Sequence, residues 1–270
     1  MDINNQISLV IIIHKRYQKL FDYMKFNSDV FDYISGRKFS NGASIKIAKG
    51  NEPICNRFQI IESLCTNKTI IHLGCVDHLP LISKKIEQNT WLHARLCKVS
   101  KRCLGIDINI EGINYIKDNL GYKDVMYGDI ANENISEIRD NNWDFLVMGE
   151  ILELVDNPCL FLQQIYNKYK NNIDKLIISV PNAFSWQNFK NILSHNEGIN
   201  TDHRYWFTPY TLAKILYQSG MQVEEFYFCE SFDIDYKLAR IIRNPKLLFY
   251  KIIYQMYPAT RLTLIMVAEL

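Results

Sequence analysis

The sequence predicts an α/β fold in which helices cover both faces of an open, mostly parallel sheet. Three observations predict it. From Lys68 onward, short apolar runs of strand length alternate with stretches of helical periodicity. The first run, Thr69–Leu73, stops at Gly74, and the second, Cys103–Ile106, stops at Asp107 about thirty residues later. The last two runs, Met221–Phe228 and Leu262–Ala268, flank a long connection and supply an antiparallel edge.

Residues 1–67 read as an N-terminal helical cap. Tyr17, Leu20, Phe21 and Met24 are spaced to share one helical face, Ser35-Gly36 and Asn41-Gly42 are turns, and Asn56 to Leu64 is helical. Residues 68–270 form the main domain. Its parallel strands are Thr69–Leu73, Cys103–Ile106, Asp124–Tyr127, Phe145–Met148 and Leu176–Val180, with helices near Leu92–Val99, Glu111–Asn119 and Cys159–Tyr169. A further helix, Pro209–Ser219, precedes the last two strands, which makes the sheet seven-stranded and Rossmann-like. Right-handed crossovers bring the strand C-termini to one edge, where such sheets bind ligands. Gly74, Asp107, Asp129 and Glu150 all fall at or just after strand ends and are expected to converge there.

The 270 residues, 48% apolar and 22% charged, suffice for one sizeable core. A net charge of +2 gives no electrostatic reason to expect a nucleic-acid partner. Seven cysteines form no C-x-x-C pair, which fits small core residues in a reducing compartment. The start lacks the basic region of a signal peptide, and Ile7–Ile13 is shorter than the ~20 apolar residues that span a bilayer. These features lead to the expectation of a cytoplasmic protein.

A buried strand ending in glycine, with an acid closing the next strand, suits a nucleoside: the glycine lets backbone approach, and the carboxylate accepts from ribose hydroxyls. The pieces in order are Ile71-His72-Leu73-Gly74-Cys75, Gly105-Ile106-Asp107, Tyr127-Gly128-Asp129-Ile130 and the run Trp143 to Glu153 with Val155-Asp156-Asn157-Pro158. Val180-Pro181-Asn182-Ala183-Phe184 and His203-Arg204-Tyr205-Trp206-Phe207-Thr208-Pro209 complete them. Together they resemble class I S-adenosylmethionine-dependent methyltransferases over residues 68–232 and the last strand. The last two segments are similar to those of bacterial methyltransferases of surface-glycan or natural-product biosynthesis.

The resemblance implies S-adenosylmethionine as cofactor, held by His72, Gly74, Cys75, Asp107, Ile108, Asp129, Ile130, Gly149 and Glu150. Amides following Gly74 would face the methionine carboxylate at a helix N-terminus. Asp107 would take the ribose, and Asp129 with the Ile130 N–H the adenine edge. Carboxylates near a sulfonium favour the cation. The bland alternatives are that Gly74 ends a strand, Asp107 caps a helix, Asp129 is a turn residue, and Glu150 and Glu153 share a solvated helical face.

The sequence departs from the pattern at His72, where an acid is usual, and at Val76 and His78, where glycines are. Leu154 stands in place of a histidine, and no metal ligand set is expected. The stretch from Asp77 to Trp91 is long enough to cover the cofactor or wall the substrate.

Methyl transfer to a hydroxyl needs a proton acceptor. His203, Asn182 and Glu150 are the catalytic candidates, with His203 the first choice as base. His78 and His93 follow, His93 lying in an apolar helix. Trp186, Tyr205, Trp206 and Phe207 offer faces to a sugar or aromatic acceptor, or else belong to the core.

Between the last two strands, residues 235–261 form a basic amphipathic insertion with Lys237, Arg240, Arg243, Lys246, Lys251 and Arg261. From 237 onward it can lie on an anionic membrane, grip an anionic substrate, or pack on the sheet or a second copy in a homodimer. The expected activity is O-methylation of a saccharide or small metabolite, free or lipid-linked. The rival expectation is a catalytically silent binding or scaffold module with the same fold. Nucleic-acid methylation is disfavoured because the fourth strand does not lead into an Asn/Asp-Pro-Pro-Tyr motif.

Overall fold

The computed structural model describes residues 23–231 and 243–270. In chain order the strands are β1 (Thr69–Leu73), β2 (Arg102–Asp107), β3 (Val125–Tyr127), β4 (Trp143–Gly149), β5 (Ile173–Pro181), β6 (Gln222–Cys229) and β7 (Thr263–Glu269). They form one sheet in the order β3-β2-β1-β4-β5-β7-β6. The first five run parallel. β7 inserts antiparallel between β5 and β6, so the antiparallel pairing lies at one side of a mostly parallel sheet, as expected.

Several strands run past their apolar stretches because polar side chains at the sheet rim find partners. Asp144 in β4 accepts from Lys68 Nζ at 2.9 Å and from the Thr69 N–H at 2.8 Å. Lys175 in β5 donates to Glu224 of β6 at 2.8 and 2.7 Å.

The described helices are α1 (Ser28–Ile34), α2 (Arg57–Cys65), α3 (Ile82–Glu87), α4 (Leu92–Val99), α5 (Ile110–Asp118), α6 (Ser136–Arg139), α7 (Pro158–Tyr169), α8 (Trp186–Leu193), α9 (Pro209–Gln218) and α10 (Lys246–Met256). Their starts carry local signals. Asn56 and Gln59 make a capping box on α2, and Asn109 caps α5. Asn157 and Thr208 cap α7 and α9 just ahead of a proline.

Alternation along β1 sends Ile71 and Leu73 to one face, where they share a core with Leu162 and Ile165 of α7 and Leu212 and Leu216 of α9. Ile70 goes to the other face, with Phe58 and Ile61 of α2 and Leu92 and Leu96 of α4. His72 therefore points toward α4.

Met24 does not join a helical face. It pairs with Phe226 in an antiparallel bridge, its N–H donating to the Phe226 carbonyl at 2.9 Å, because the outer edge of β6 offers unpaired backbone. Tyr17, Leu20 and Phe21 lie outside the described residues, as do Lys237 and Arg240. Asn56 bridges Glu230 beyond the end of β6, and the Arg57 N–H donates to the Glu230 carbonyl at 2.7 Å. This pairing carries the start of α2 to the C-terminal edge of the sheet. Among the described residues no helix is long and apolar enough to cross a membrane.

Candidate active site

Chain order reverses between β1 and β4, the position where open α/β sheets form ligand crevices. A cavity of about 560 Å³ opens there. His72 and Gly74 from β1, Asp107 from β2, and Gly149, Glu150, Ile151 and Leu154 from and after β4 line it. Arg57, Asp77, His78, Lys85, Trp91 and Leu92 complete one wall, and Asn200, Asp202 and His203 another.

Gly74 has φ of +73°, and a Cβ there would fall 2.7 Å from Ile151 Cδ1. The glycine thus serves both backbone geometry and the close approach of the segment after β4. Asp107 is nearly buried. Its Oδ2 accepts from the Val76 N–H at 3.0 Å and its Oδ1 from the Asn109 N–H at 2.9 Å. Burial raises its pKa above the ordinary value, opposed by these backbone donors. A carboxylate has about four lone-pair sites, so acceptor capacity remains for a ligand hydroxyl.

Glu150 also takes the left-handed conformation, with φ of +59°. Its Oε1 lies 3.1 Å from Arg57 Nη1, an ion pair inside the cavity. Backbone strain of this kind in a non-glycine residue gathers at functional sites. Glu153 is fully buried, and neither of its oxygens has a hydrogen-bond partner among the described residues. Burial, reinforced by the charge of Glu150, pushes its pKa up to about 8. His203 Nε2 stands 3.9 Å from Glu153 Oε1, and His203 Nδ1 is buried without a partner.

Other expected site residues are not among those lining this cavity. Cys75 is buried behind the cavity, where its carbonyl accepts from Trp91 Nε1 at 2.9 Å. Ile108 is exposed and Ile130 is core. Asp129 accepts from the N–H groups of Ala131 and Asn132 within its own turn at 3.1 Å. Asn182 is fully buried. Its amide donates to the carbonyls of Ala259 and Arg261, its oxygen accepts from the Phe184 N–H, and the side chain does not line this cavity. Trp186, Tyr205, Trp206 and Phe207 do not line this cavity, whereas Trp91 does.

The turn after β1 also departs from expectation. No helix starts directly at Gly74; a short 3₁₀ turn and α3 intervene. The N–H groups of Gly74 and Cys75 donate to the Ile106 carbonyl, that of Asp77 to the Gly74 carbonyl, and that of His78 to Asp77 Oδ1. With Val76 bonded to Asp107, these amides all have acceptors within the protein. The cations on this wall are Arg57, paired with Glu150, and Lys85, paired with Asp77 at 2.6 Å. Nor do Glu150 and Glu153 share a solvated helical face: Leu152–Leu154 is a single 3₁₀ turn that folds Glu153 inward.

Arg57 gives no signal in the sequence, because it reaches the site through the pairing of its backbone with β6. The long Asp77–Trp91 stretch does hint at its role, since Asp77, His78, Lys85 and Trp91 form the wall.

No protein-family model matches the sequence, and comparison with curated proteins finds no match. Solved structures of similar fold include a SAM-dependent methyltransferase from Archaeoglobus fulgidus, at 16% identity and TM-score 0.43 over 79% of this chain and 94% of that one. Another, from Mesorhizobium loti, has 13% identity and TM-score 0.45 over 76% and 92%. Magnesium protoporphyrin IX methyltransferase from Synechocystis, with bound SAH, has 12% identity and TM-score 0.46 over 94% and 93%.

Proposed function

We propose that the protein is an S-adenosylmethionine-dependent methyltransferase acting on a hydroxyl of a saccharide or related small metabolite, as the six ordered motifs imply. The observation that carries the reading is the cavity at the β1/β4 reversal, lined by Asp107, Gly74 and His203, with buried Glu153 3.9 Å from the His203 Nε2. Its volume falls in the range of about 300–1,000 Å³ usual for small-ligand sites.

The residues fit such a cofactor at its nucleoside end. Asp107 retains acceptor capacity, and Gly149 lines the same cavity. When bound, the cofactor would supply an electrophilic methyl group. The chain's part is to orient the acceptor, exclude water and hold the hydroxyl proton. His203 is the group suited to hold that proton, and Glu153 stands 3.9 Å from its Nε2.

Calorimetry with S-adenosylmethionine and S-adenosylhomocysteine tests the reading. Asp107→Ala is expected to weaken both at least about tenfold through loss of charged hydrogen bonds. Asp107→Asn, which keeps one of the two acceptor oxygens, serves as the milder variant. Absence of binding by the intact chain would reject the proposal.

The internally bonded amides from Gly74 to His78 favour a second reading, a methyltransferase-fold binding module without turnover. Cofactor binding without methyl transfer to glycan or lipid-linked acceptors would select it.

We further propose that the acceptor is presented from an anionic membrane. Phe189, Ile192 and Leu193 of α8 are exposed, as are Leu248, Phe249, Ile252 and Met256 of α10. The two helices touch through Trp186 and Phe249, with ring centroids 5.6 Å apart. Both helices are free of acids, and Lys190, Arg243, Lys246 and Lys251 accompany the apolar residues. Residues 194–206 lead directly from α8 to His203 in the cavity. Arg261 is not part of this surface: it is buried and donates to the carbonyls of Tyr254, Phe228 and Glu52.

A further inference from the structure

Behind the cavity, His72 Nδ1 lies 3.3 Å from His93 Nδ1, the two rings stacked at 5.4 Å. His93 is fully buried on α4. One turn later on the same helix, Cys97 brings its Sγ to 3.6 Å from His93 Nε2. Cys103 of β2 places its Sγ 3.7 Å from His93 Nδ1. Ligand atoms from these three residues lie within 4.8 Å of one another. A second cavity, of about 360 Å³, opens beside them and is lined by His93, Cys97, Cys103, Tyr122 and Asp124.

We propose that His93, Cys97 and Cys103 bind a thiophilic divalent metal ion, with zinc(II) the ion that suits them best. One imidazole and two thiols are donors that zinc prefers over the hard oxygen ligands of magnesium or calcium. Zinc–sulfur and zinc–nitrogen bonds of about 2.3 and 2.0–2.1 Å at tetrahedral angles give an N···S separation of about 3.6 Å. His93 Nε2 and Cys97 Sγ already stand at that distance.

The imidazole is held in place by packing. It lies over Gly105 of β2, where a Cβ would fall 2.8 Å from its Cε1. A metal on Nε2 leaves the Nδ1–H to donate to His72 Nδ1, the outer hydrogen bond that fixes a ligating histidine's tautomer. The 3.3 Å contact requires one proton between the two nitrogens, and this arrangement supplies it.

Three protein ligands leave a fourth position facing the cavity. Asp124 is nearby, but its carboxylate is engaged by Arg102 at 2.8 and 3.2 Å, so water takes the fourth place. On binding, Cys97 and Cys103 lose their thiol protons to solvent. The site escapes a search for paired cysteines because its ligands are split between a helix and the next strand.

The proposal is independent of the methyl-donor reading, since metal binding is measured without that cofactor. The test uses the full chain, reduced and free of oxygen, titrated with cobalt(II) as a visible stand-in for zinc. One equivalent is expected to give thiolate-to-cobalt charge transfer in the near ultraviolet and strong tetrahedral bands in the visible, both abolished by one equivalent of zinc. Cys97→Ser, the least buried ligand, is expected to weaken zinc at least about tenfold while the circular dichroism is unchanged. Cys159→Ser, outside the cluster, is expected to bind as the parent does. A folded, reduced chain without the thiolate band, or a band indifferent to Cys97→Ser, would overturn the site.

Discussion

Glu153 is a buried carboxyl group without a hydrogen-bond partner among the described residues. Its carboxyl group is fully buried, and the nearest cation-forming group, His203 Nε2, is 3.9 Å away. The unfolded chain releases this proton near the ordinary value of 4.5, whereas the folded chain keeps it until about pH 8. Between those values the folded state binds more protons than the unfolded state, so stability falls as pH rises. The slope for one such group is at most about 1.4 kcal/mol per pH unit. Glu153→Gln removes the ionisation. Urea unfolding at pH 5.5 and pH 8 is expected to show the parent losing stability across that interval and the variant much less. Parallel slopes for the two proteins would mean that solvent or a counter-charge reaches Glu153. The same residue illustrates what spacing conceals. Two glutamates three apart suggest one exposed helical face, but the left-handed backbone at Glu150 breaks the helix and turns the second carboxylate inward.

At the scale of elements, the turn from β1 explains how a chain tolerates Val76 where a glycine is usual. Val76 and His78 keep negative φ, while Asp77 takes +60°. Room for the Val76 side chain comes from α5, where Gly112 has no Cβ: a methyl there would run into Val76 Cγ1. The small residue has moved from the turn to the helix packed on it. Gly112→Ala is therefore expected to destabilise by about 1–3 kcal/mol through overpacking, despite the better helix propensity of alanine. Val76→Ala in the same chain is expected to recover part of that loss. Thermal melts of the two single variants and the double variant form the cycle, and additive effects would show that the two positions do not share a contact. Element positions are well encoded here because apolar runs, Asn and Thr caps and prolines at helix starts all agree. Site membership is less so. An aspartate or asparagine at a strand end can serve a ligand or close its own backbone, and Asp107, Asp129 and Asn182 look alike by position. Only the surrounding donors separate them. Arg57 and the His93–Cys97–Cys103 cluster depend on which elements pack together, which spacing along one segment does not carry.

For the whole molecule, the distribution of apolar and charged surface points one face outward as a docking platform. α8 and α10 expose large apolar side chains beside Lys190, Arg243, Lys246 and Lys251, and the chain leaves α8 toward His203. A second copy of the protein could cover such a face, but basic residues unaccompanied by acids would then meet their own kind. An anionic bilayer meets them with opposite charge and accepts the apolar rings at its interface. Cosedimentation with vesicles containing phosphatidylglycerol is expected to exceed that with phosphatidylcholine alone, and to weaken as salt is raised. Each basic residue near the surface contributes about 1 kcal/mol, so Lys246→Gln is expected to lower partitioning roughly fivefold. Phe249→Asp with Ile252→Asp is expected to abolish it while leaving S-adenosylmethionine affinity unchanged, because neither side chain lines the cavity. A salt-independent dimer in analytical ultracentrifugation, lost in the same double variant, would assign the face to self-association and remove the membrane from the reading.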